Sequence, residues 1–470
     1  MTTFKVVASA PGLPSVESGP IVVSAASGTT PNPALLPAAV GAAVPSTAAF
    51  TALPYRNAAG VQQGTNPRNM TQGQYFNCIK SGLKIWRLTT DTFPVNAASS
   101  LLTGVDYAEG ANRIGRPALA APTTYPILCS RVDSGGGNQV YLLNFDIATG
   151  GVTLKMLLPG SEAEGGTSLS WATPNVMYVI GRSGAAFLRK YDISGASPVE
   201  ITGGVWPHAV SGYSGRAIWF QQSADDRWFS WQEYPSGPTV WVWDSQTNTT
   251  YSHSFSGMDE HKLDLNGRYV WVTLGSNGPI QRWDPVAGTF PQVNSPVPSC
   301  FSATYVGHCG VGRKFTYGAD GNCNPSVFWR FDLEAASPAF TVVNNNVFYI
   351  NNLYSNHGWV DQPNAIAGNP SQYGILAWQG VDGTIDLSDG QIGPQTKLRL
   401  GDLGMFKLDG SDYRLLCCGY SQGNVNGTAA YYANALWPNW APDGKFVVFN
   451  SNMRQQSVRN YAFAVILPVS

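Results

Sequence analysis

Short runs of apolar and aromatic residues follow one another from about residue 115 to the C-terminus. Many begin after a glycine, as in Gly267-Arg-Tyr-Val-Trp-Val-Thr273 and in Lys445-Phe-Val-Val-Phe449, which follows Gly444. Runs of about four to eight such residues between turn residues are typical of β-strands. The pattern therefore predicts an all-β protein.

One pattern recurs along these runs, a strand whose last aromatic residue is followed by Asp and a turn. Five copies end at Asp146, Asp192, Asp244, Asp284 and Asp332, and a weaker copy ends at Asp409. The successive intervals are 46, 52, 40, 48 and 77 residues, and each of the first four matches one four-stranded blade. Asp suits this position because its carboxylate accepts hydrogen bonds from the backbone N–H groups of the turn. The sequence predicts a seven-bladed β-propeller of four-stranded antiparallel blades, with an insertion in the blade that holds the longest interval.

The first 80 residues have a different composition, rich in Ala, Pro, Gly, Ser and Thr. Proline every few residues prevents a helix, and the apolar positions are too irregular for a sheet. We predict an irregular arm over residues 1–80, with a role in assembly, and a propeller over residues 81–470. An isolated strand near residues 83–90 is expected to complete the last blade, which closes the ring and removes the exposed sheet edges.

The charge of the chain restricts the classes of partner that it is expected to bind. Charged residues make up 12% of the sequence, and the formal net charge is −1. No run of Lys or Arg occurs, which disfavours nucleic acid and anionic membranes. No apolar stretch is long enough to predict a membrane span, and the N-terminus has no recognisable signal peptide. The low charge favours an extracellular protein or a virion component.

The seven cysteines form no metal-binding or redox motif. An odd number cannot pair fully within one chain. Two interpretations remain open: buried free thiols, or a disulfide that joins Cys309 to Cys323 or Cys300.

Two segments resemble known propeller repeats. The stretch Pro438-Asn-Trp-Ala-Pro-Asp-Gly-Lys-Phe-Val-Val-Phe-Asn-Ser-Asn452 resembles the repeat of TolB-type propellers. The pair Gly307-His308, followed by Phe331-Asp332, is similar to the GH…WD signature of WD40 blades. The resemblance covers residues 80–470 as architecture and implies the propeller fold.

Four of the five histidines recur at the spacing of the blades. His208, His261, His308 and His357 are separated by 53, 47 and 49 residues. This phase predicts an imidazole near the start of an innermost strand in four consecutive blades, at one mouth of the central channel. Imidazole is the commonest metal ligand in proteins and a proton carrier near neutral pH. His253 falls outside the phase and is predicted to be an exposed strand residue.

The histidines resemble the metal site of the oligogalacturonate lyase family of seven-bladed propellers. The resemblance implies that His261, His308, His357 and Gln362 hold a divalent ion (Mn, Zn or Ni) and that His208 is the catalytic base. Two other interpretations remain open: a hydrogen bond of each histidine within its own blade, as in WD40 repeats, or direct contact of the histidines with a glycan. The Asp/Gly-rich segment 379–390 lacks the full EF-hand pattern, which disfavours calcium.

Tryptophans near loops and strand starts are candidates to stack on sugar rings, namely Trp206, Trp231, Trp359 and Trp437. Two functions are therefore kept. The first is an extracellular or virion-associated propeller that binds a glycan, such as a surface polysaccharide, or a partner protein. It would assemble with that partner or with itself through residues 1–80. The alternative is a metal-dependent polysaccharide (uronate) lyase, and the sequence does not decide whether the protein is an enzyme.

Overall fold

The computed structural model describes mainly residues 50–94, 113–132, 138–158, 166–181, 187–210, 216–234, 239–274, 280–290, 413–421, 438–453 and 460–468, together with short strands elsewhere. The described residues form β-strands and turns, with a 3-10 helix at Pro67–Asn69. No helix in this part of the chain is long and apolar enough to cross a bilayer.

The N-terminal region contributes two kinds of strand. The first four pair with one another, β1 with β4 and β2 with β3; they are β1 (Thr2–Phe4), β2 (Val7–Ala8), β3 (Val16–Glu17) and β4 (Ile21–Val23). The next four belong to a larger sheet described below; they are β5 (Tyr55–Arg56), β6 (Gln62–Gly64), β7 (Tyr75–Asn77) and β8 (Lys84–Arg87).

From residue 101 onward the chain builds one antiparallel sheet after another. The first sheet contains β9 (Leu101–Leu102), β10 (Thr124–Val132), β11 (Asn138–Asp146) and β12 (Gly151–Leu157). The second contains β13 (Thr167–Leu169), β14 (Val176–Ile180), β15 (Phe187–Asp192) and β16 (Val199–Ile201), with β17 (His208–Ala209) also paired to β15. The third contains β18 (Arg216–Gln222), β19 (Trp228–Tyr234), β20 (Thr239–Asp244) and β21 (Thr249–Ser254). The fourth contains β22 (Met258–Leu263), β23 (Val270–Leu274) and β24 (Ile280–Trp283).

The next strands form one eight-stranded sheet, whose two halves are joined by the pairing of Asp320 with Tyr354. Its strands are β25 (Gly310–Val311), β26 (Phe315–Asp320), β27 (Val327–Asp332), β28 (Thr341–Asn344), β29 (Leu353–Asn356), β30 (Tyr373–Gly380), β31 (Asp402–Lys407) and β32 (Tyr413–Cys418). A hairpin follows, made of β33 (Asn424–Val425) and β34 (Thr428–Ala429).

The last strands are β35 (Asn439–Trp440), β36 (Phe446–Ser451) and β37 (Tyr461–Ile466). They join the N-terminal strands in one sheet with the order β35-β36-β37-β8-β7-β5-β6. Within this sheet, which we call the closing sheet, Ala464 of β37 lies opposite Trp86 of β8. This pairing of the two ends of the chain is the one that ring closure requires.

The same turn precedes the second strand in several sheets. Asn175, Asp226, Gly267 and Gly444 all have a positive φ, between 57° and 72°, and strands β14, β19, β23 and β36 begin within three residues of them. Asn, Asp and Gly tolerate this left-handed conformation better than other residues. The repeat seen in the sequence is thus a repeat of backbone geometry.

The Asp-turns follow the predicted geometry. The Asp146, Asp192 and Asp244 carboxylates each accept a hydrogen bond, 2.8–3.0 Å long, from the backbone N–H two residues later. Asp284 accepts one from the N–H of Ala287 at 2.9 Å. The prediction that this Asp caps its turn is confirmed at these four positions.

The core is divided into clusters, each of which fills the space between two neighbouring sheets. Between the closing sheet and the first sheet, the ring of Phe446 packs against Tyr125 and Phe145, with centroids 4.9 and 5.6 Å apart. Further clusters join the first to the second, the second to the third and the third to the fourth sheet. The first and last sheets are therefore neighbours, as in a ring. The predicted class, an all-β propeller of antiparallel sheets, is confirmed, and the number of blades stays a prediction.

Residues from Phe50 onward take part in this packing. Phe50, Met70 and Phe76 are buried in the cluster that joins the closing sheet to the strands before it. The buried guanidinium of Arg87 donates to the carbonyls of Arg68 and Met70 at 2.8 and 3.0 Å. The segment 50–80 is thus anchored to the closing sheet, and the functional boundary at residue 80 stays a prediction.

Candidate ligand site on the inner strands

The first strands of successive sheets lie next to one another. Strand β18 of the third sheet contacts β13 of the second sheet and β22 of the fourth. In a propeller the first strand of each blade is the one nearest the central axis. Side chains on β13, β18 and β22 therefore surround the centre of the molecule.

Strand β18 is interrupted by a bulge that contains Trp219. The register with β19 shifts between Ile218 and Gln221, and Trp219 has a φ of +52°. A positive φ is rare for a bulky residue, and a bulge redirects a side chain. Ala217 and Phe220 are completely buried, whereas Trp219 is only half-buried. The bulge thus keeps a large aromatic ring partly open on an inner strand.

Two glutamines after the bulge fix β18 to both neighbouring inner strands. The Gln221 amide nitrogen donates to the His261 carbonyl at 2.7 Å, and its oxygen accepts from the Leu263 N–H at 2.6 Å. The Gln222 amide nitrogen donates to the Leu169 carbonyl at 3.1 Å. Both side chains are 1% exposed or less. The backbone that carries Trp219 is therefore held from both sides.

His261 lies on β22, directly beside this bulge. Its side chain is 1% exposed, and its Nε2 lies 3.1 Å from the hydroxyl oxygen of Ser230 on β19. The imidazole is thus engaged by a neighbouring sheet. This hydrogen bond joins the third sheet to the fourth, so it is made between two sheets and not within the blade of His261, as the WD40 interpretation expects.

His208 occupies a different place from the one its spacing suggests. It lies on β17, which pairs with β15, the third strand of the second sheet, and not on an innermost strand. Its ring stacks on Trp243 with centroids 4.1 Å apart, and its Nε2 lies 3.1 Å from the Thr250 hydroxyl. Burial lowers the pKa of this imidazole, which favours its neutral form.

The other predicted ligands lie outside the described residues: His308, His357, Gln362, Trp359 and Trp437. Within the described part of the chain, no group of three or more His, Cys, Asp or Glu side chains is arranged to hold a metal ion. His253 is exposed, as predicted.

Two predicted sugar-stacking tryptophans are described. Trp231 is 0% exposed, so its ring has no open face for a sugar. Trp206 is half-buried at the edge of the cluster between the second and third sheets. Its ring packs edge-on against Trp243 at 5.0 Å, and the Lys190 ammonium lies 5.9 Å from its centroid. Trp206 keeps a part of its surface open, whereas Trp231 is a core residue.

The carboxylate of Asp226 lies close to the strand that carries the bulge. One oxygen of Asp226 accepts hydrogen bonds from the hydroxyls of Ser170 and Tyr178, and the other accepts from the Gln222 amide at 3.0 Å. Burial raises the pKa of Asp226 to about 6. The same Gln222 thus links this carboxylate to the strand that carries Trp219.

The similarity of this chain to known proteins is found in its structure and not in its sequence. No protein-family model matches the sequence, and no curated protein matches it. Among solved structures, an oligogalacturonate lyase in complex with manganese is 12% identical with a TM-score of 0.50, and the match covers 84% of this chain and 96% of that one. The oligogalacturonate lyase of Vibrio parahaemolyticus is 12% identical with a TM-score of 0.48 and the same coverage. TolB from Acinetobacter baumannii is 11% identical with a TM-score of 0.33, over 70% of this chain and 76% of its own. The chain is a β-propeller with a weak similarity to oligogalacturonate lyase, and this likeness concerns the fold.

Proposed function

We propose that this chain is a binding propeller that takes up a glycan at its inner strands. The observation that carries the proposal is Trp219, a half-buried ring held in a left-handed bulge of β18. Strain of this kind persists where the surrounding structure enforces it, and such positions are concentrated at functional sites. Gln221 and Gln222 supply that enforcement.

A glycan suits this position better than an ionic ligand. The face of an indole is apolar and can cover the C–H groups of a sugar ring, while its N–H can serve a hydroxyl. The chain carries only 12% charged residues, which leaves uncharged side chains to provide most polar contacts. Trp206 offers a second, outer contact of the same kind.

The test is a glycan microarray followed by calorimetry with the oligosaccharide that binds best. Trp219→Ala should weaken binding at least tenfold, which corresponds to about 1.4 kcal/mol, and Trp219→Phe should retain part of it. The control is Trp241→Phe, a half-buried tryptophan on the third strand of the same sheet, which should bind as the wild type does. Wild-type protein that binds no glycan, or unchanged binding by Trp219→Ala, would contradict the proposal.

A second candidate is a metal-dependent uronate lyase. Two observations favour it: the fold likeness to a manganese-bound lyase and the position of His261 on an inner strand. His261, His308, His357 and Gln362 would hold Mn, Zn or Ni, which would bind a uronate carboxylate and acidify the adjacent C–H. His208 would be the base, but its stacking on Trp243, on the third strand of its sheet, does not favour that role.

Metal analysis of the purified protein separates the two functions. A lyase should contain one divalent ion per chain, lose it in the His261→Ala/His308→Ala double variant, and form an unsaturated product from trigalacturonate. If the purified protein contains no divalent ion and forms no unsaturated product, the lyase function is excluded.

We also propose that the protein works outside the cell or on a virion and that residues 1–80 mediate its assembly with a partner or with itself. The low charge supports the location. The assembly role is supported by strands β1–β4, which pair with one another within the described part of the chain.

A further inference from the structure

Three buried cysteines meet where the N-terminal segment packs on the sheet that precedes the closing sheet. Cys78 follows β7, and Cys417 and Cys418 end β32. All three are 2% exposed or less, and none of them is part of a disulfide. They belong to one hydrophobic cluster, although about 340 residues of chain separate Cys78 from the other two.

Cys78 and Cys418 are in direct contact. The Cys418 backbone N–H donates to the sulfur of Cys78 at 3.3 Å, so this sulfur lies within a few bond lengths of the Cys418 side chain. A disulfide requires Cα atoms about 4.4 to 6.8 Å apart, and this contact is compatible with that range.

Cys418 is a better partner for Cys78 than Cys417 is. Tyr420, which follows the end of β32, lies beside the segment that holds Cys78, because its hydroxyl accepts from the Ile79 N–H at 3.4 Å and its ring packs 5.5 Å from Phe76. Successive side chains on a strand point to opposite faces. Cys417 and Cys418 therefore point to opposite faces at the end of β32, and the contact of the Cys78 sulfur with the Cys418 N–H identifies Cys418 as the partner.

We propose that Cys78 and Cys418 form a latent disulfide that staples the N-terminal segment to the propeller under oxidising conditions. The oxidant is a small-molecule disulfide such as oxidised glutathione. One cysteine thiolate attacks this disulfide and releases one glutathione thiolate. The second cysteine then displaces the other glutathione, so that one S–S bond forms, one is broken, and the two cysteine protons pass to the leaving thiolates.

Because the cysteines are buried, this reaction requires local opening of the contact between the N-terminal segment and β32. A thiol reacts as an exposed thiolate, so Cys78 has to leave its cluster briefly before it can be attacked. Once formed, the bond closes a loop of about 340 residues, and long loops give the larger stabilisation. Oxidation then opposes the opening that permitted it.

In the experiment, the full-length protein is incubated with oxidised glutathione at a series of urea concentrations up to the one at which unfolding begins. The disulfides formed are then mapped by mass spectrometry without reduction. The expected product is a cross-linked peptide pair that contains Cys78 and Cys418, with a Tm several degrees above that of the reduced protein. Cys417→Ser should form this link, and Cys418→Ser should not. Cys129→Ser, at a buried thiol of the first sheet, is the control and should also form it.

Two results would overturn the proposal. One is the absence of a Cys78–Cys418 link at every urea concentration while unfolded protein is oxidised normally. The other is a link that survives in Cys418→Ser and is lost in Cys417→Ser.

Discussion

The carboxylate of Asp226 joins the second and third sheets through side-chain hydrogen bonds. The hydroxyls of Ser170 and Tyr178, both from the second sheet, donate to one of its oxygens. Burial raises its pKa from 3.8 to about 6. The folded protein therefore holds this proton more tightly than the unfolded chain does.

The sign of the pH dependence follows from that difference. Asp226 contributes most to stability below about pH 4, where both states are protonated, and the contribution is lost as the pH rises to about 6. The loss is on the order of 3 kcal/mol. Asp226→Asn should remove this part of the pH dependence, as urea unfolding between about pH 4 and 7 would reveal. The control is Asp225→Asn, at the exposed neighbour, whose charge makes only a smaller contribution to the raised pKa of Asp226. It should retain most of the pH dependence, and equal slopes in all three proteins would refute the assignment.

At the scale of the strand and its turn, two glycines are in close contact with tryptophan rings from the neighbouring sheet. Gly150 follows β11 with a φ of +74°, and a Cβ there would lie 1.9 Å from Cζ3 of Trp86. Gly267 stands in the same relation to Trp228, at 2.1 Å from its Cδ1. Neither ring can move freely, since both tryptophans are buried. These glycines are therefore required by the contact between sheets as well as by the turn.

Gly150→Ala should lower the free energy of unfolding by about 2 to 4 kcal/mol, since it adds overpacking to the cost of a left-handed alanine. Gly288 provides the matched control, because its φ is +65° and no atom lies within 4 Å of its added Cβ. Gly288→Ala should cost only about 1 to 2 kcal/mol. Similar losses in both variants, measured by urea denaturation, would show that the contact with Trp86 is unimportant.

The sequence predicts the strands and the Asp-turns because both depend on local chemistry, apolar alternation in one case and a capping carboxylate in the other. It does not predict the bulge at Trp219, because the run Ala-Ile-Trp-Phe-Gln-Gln is that of a regular strand. His208 has the blade spacing, yet the chain first pairs back onto β15 before it enters β18. Periodicity along the chain does not distinguish these two strands, and only the tertiary pairing does.

At the scale of the whole molecule, the N-terminal region has two parts with different roles. Strands β5, β7 and β8 extend the closing sheet beyond β37, so they cover an edge that would otherwise offer unpaired backbone groups. Phe50 stacks on Tyr420 at 4.6 Å and thereby ties this extension to the preceding sheet. The composition of residues 1–80 gives little sign of β5 and β7, because these strands are only two and three residues long, whereas β8 lies in the segment 83–90 that the sequence predicts as a strand.

Two truncations separate the roles. Deletion of residues 1–45 removes β1–β4, which pair with one another, and should leave the unfolding midpoint unchanged while it abolishes assembly. Deletion of residues 1–75 also removes Phe50 and Met70 from the core and should destabilise the ring by several kcal/mol, since each large buried side chain contributes about 2 to 5. Light scattering reports the assembly and urea unfolding reports the ring. An unchanged oligomeric state after the shorter deletion would refute the assembly role. Equal stability of the two truncated proteins would refute the anchoring of residues 50–75, because the stability of a ring closed by β8 alone should not depend on Phe50.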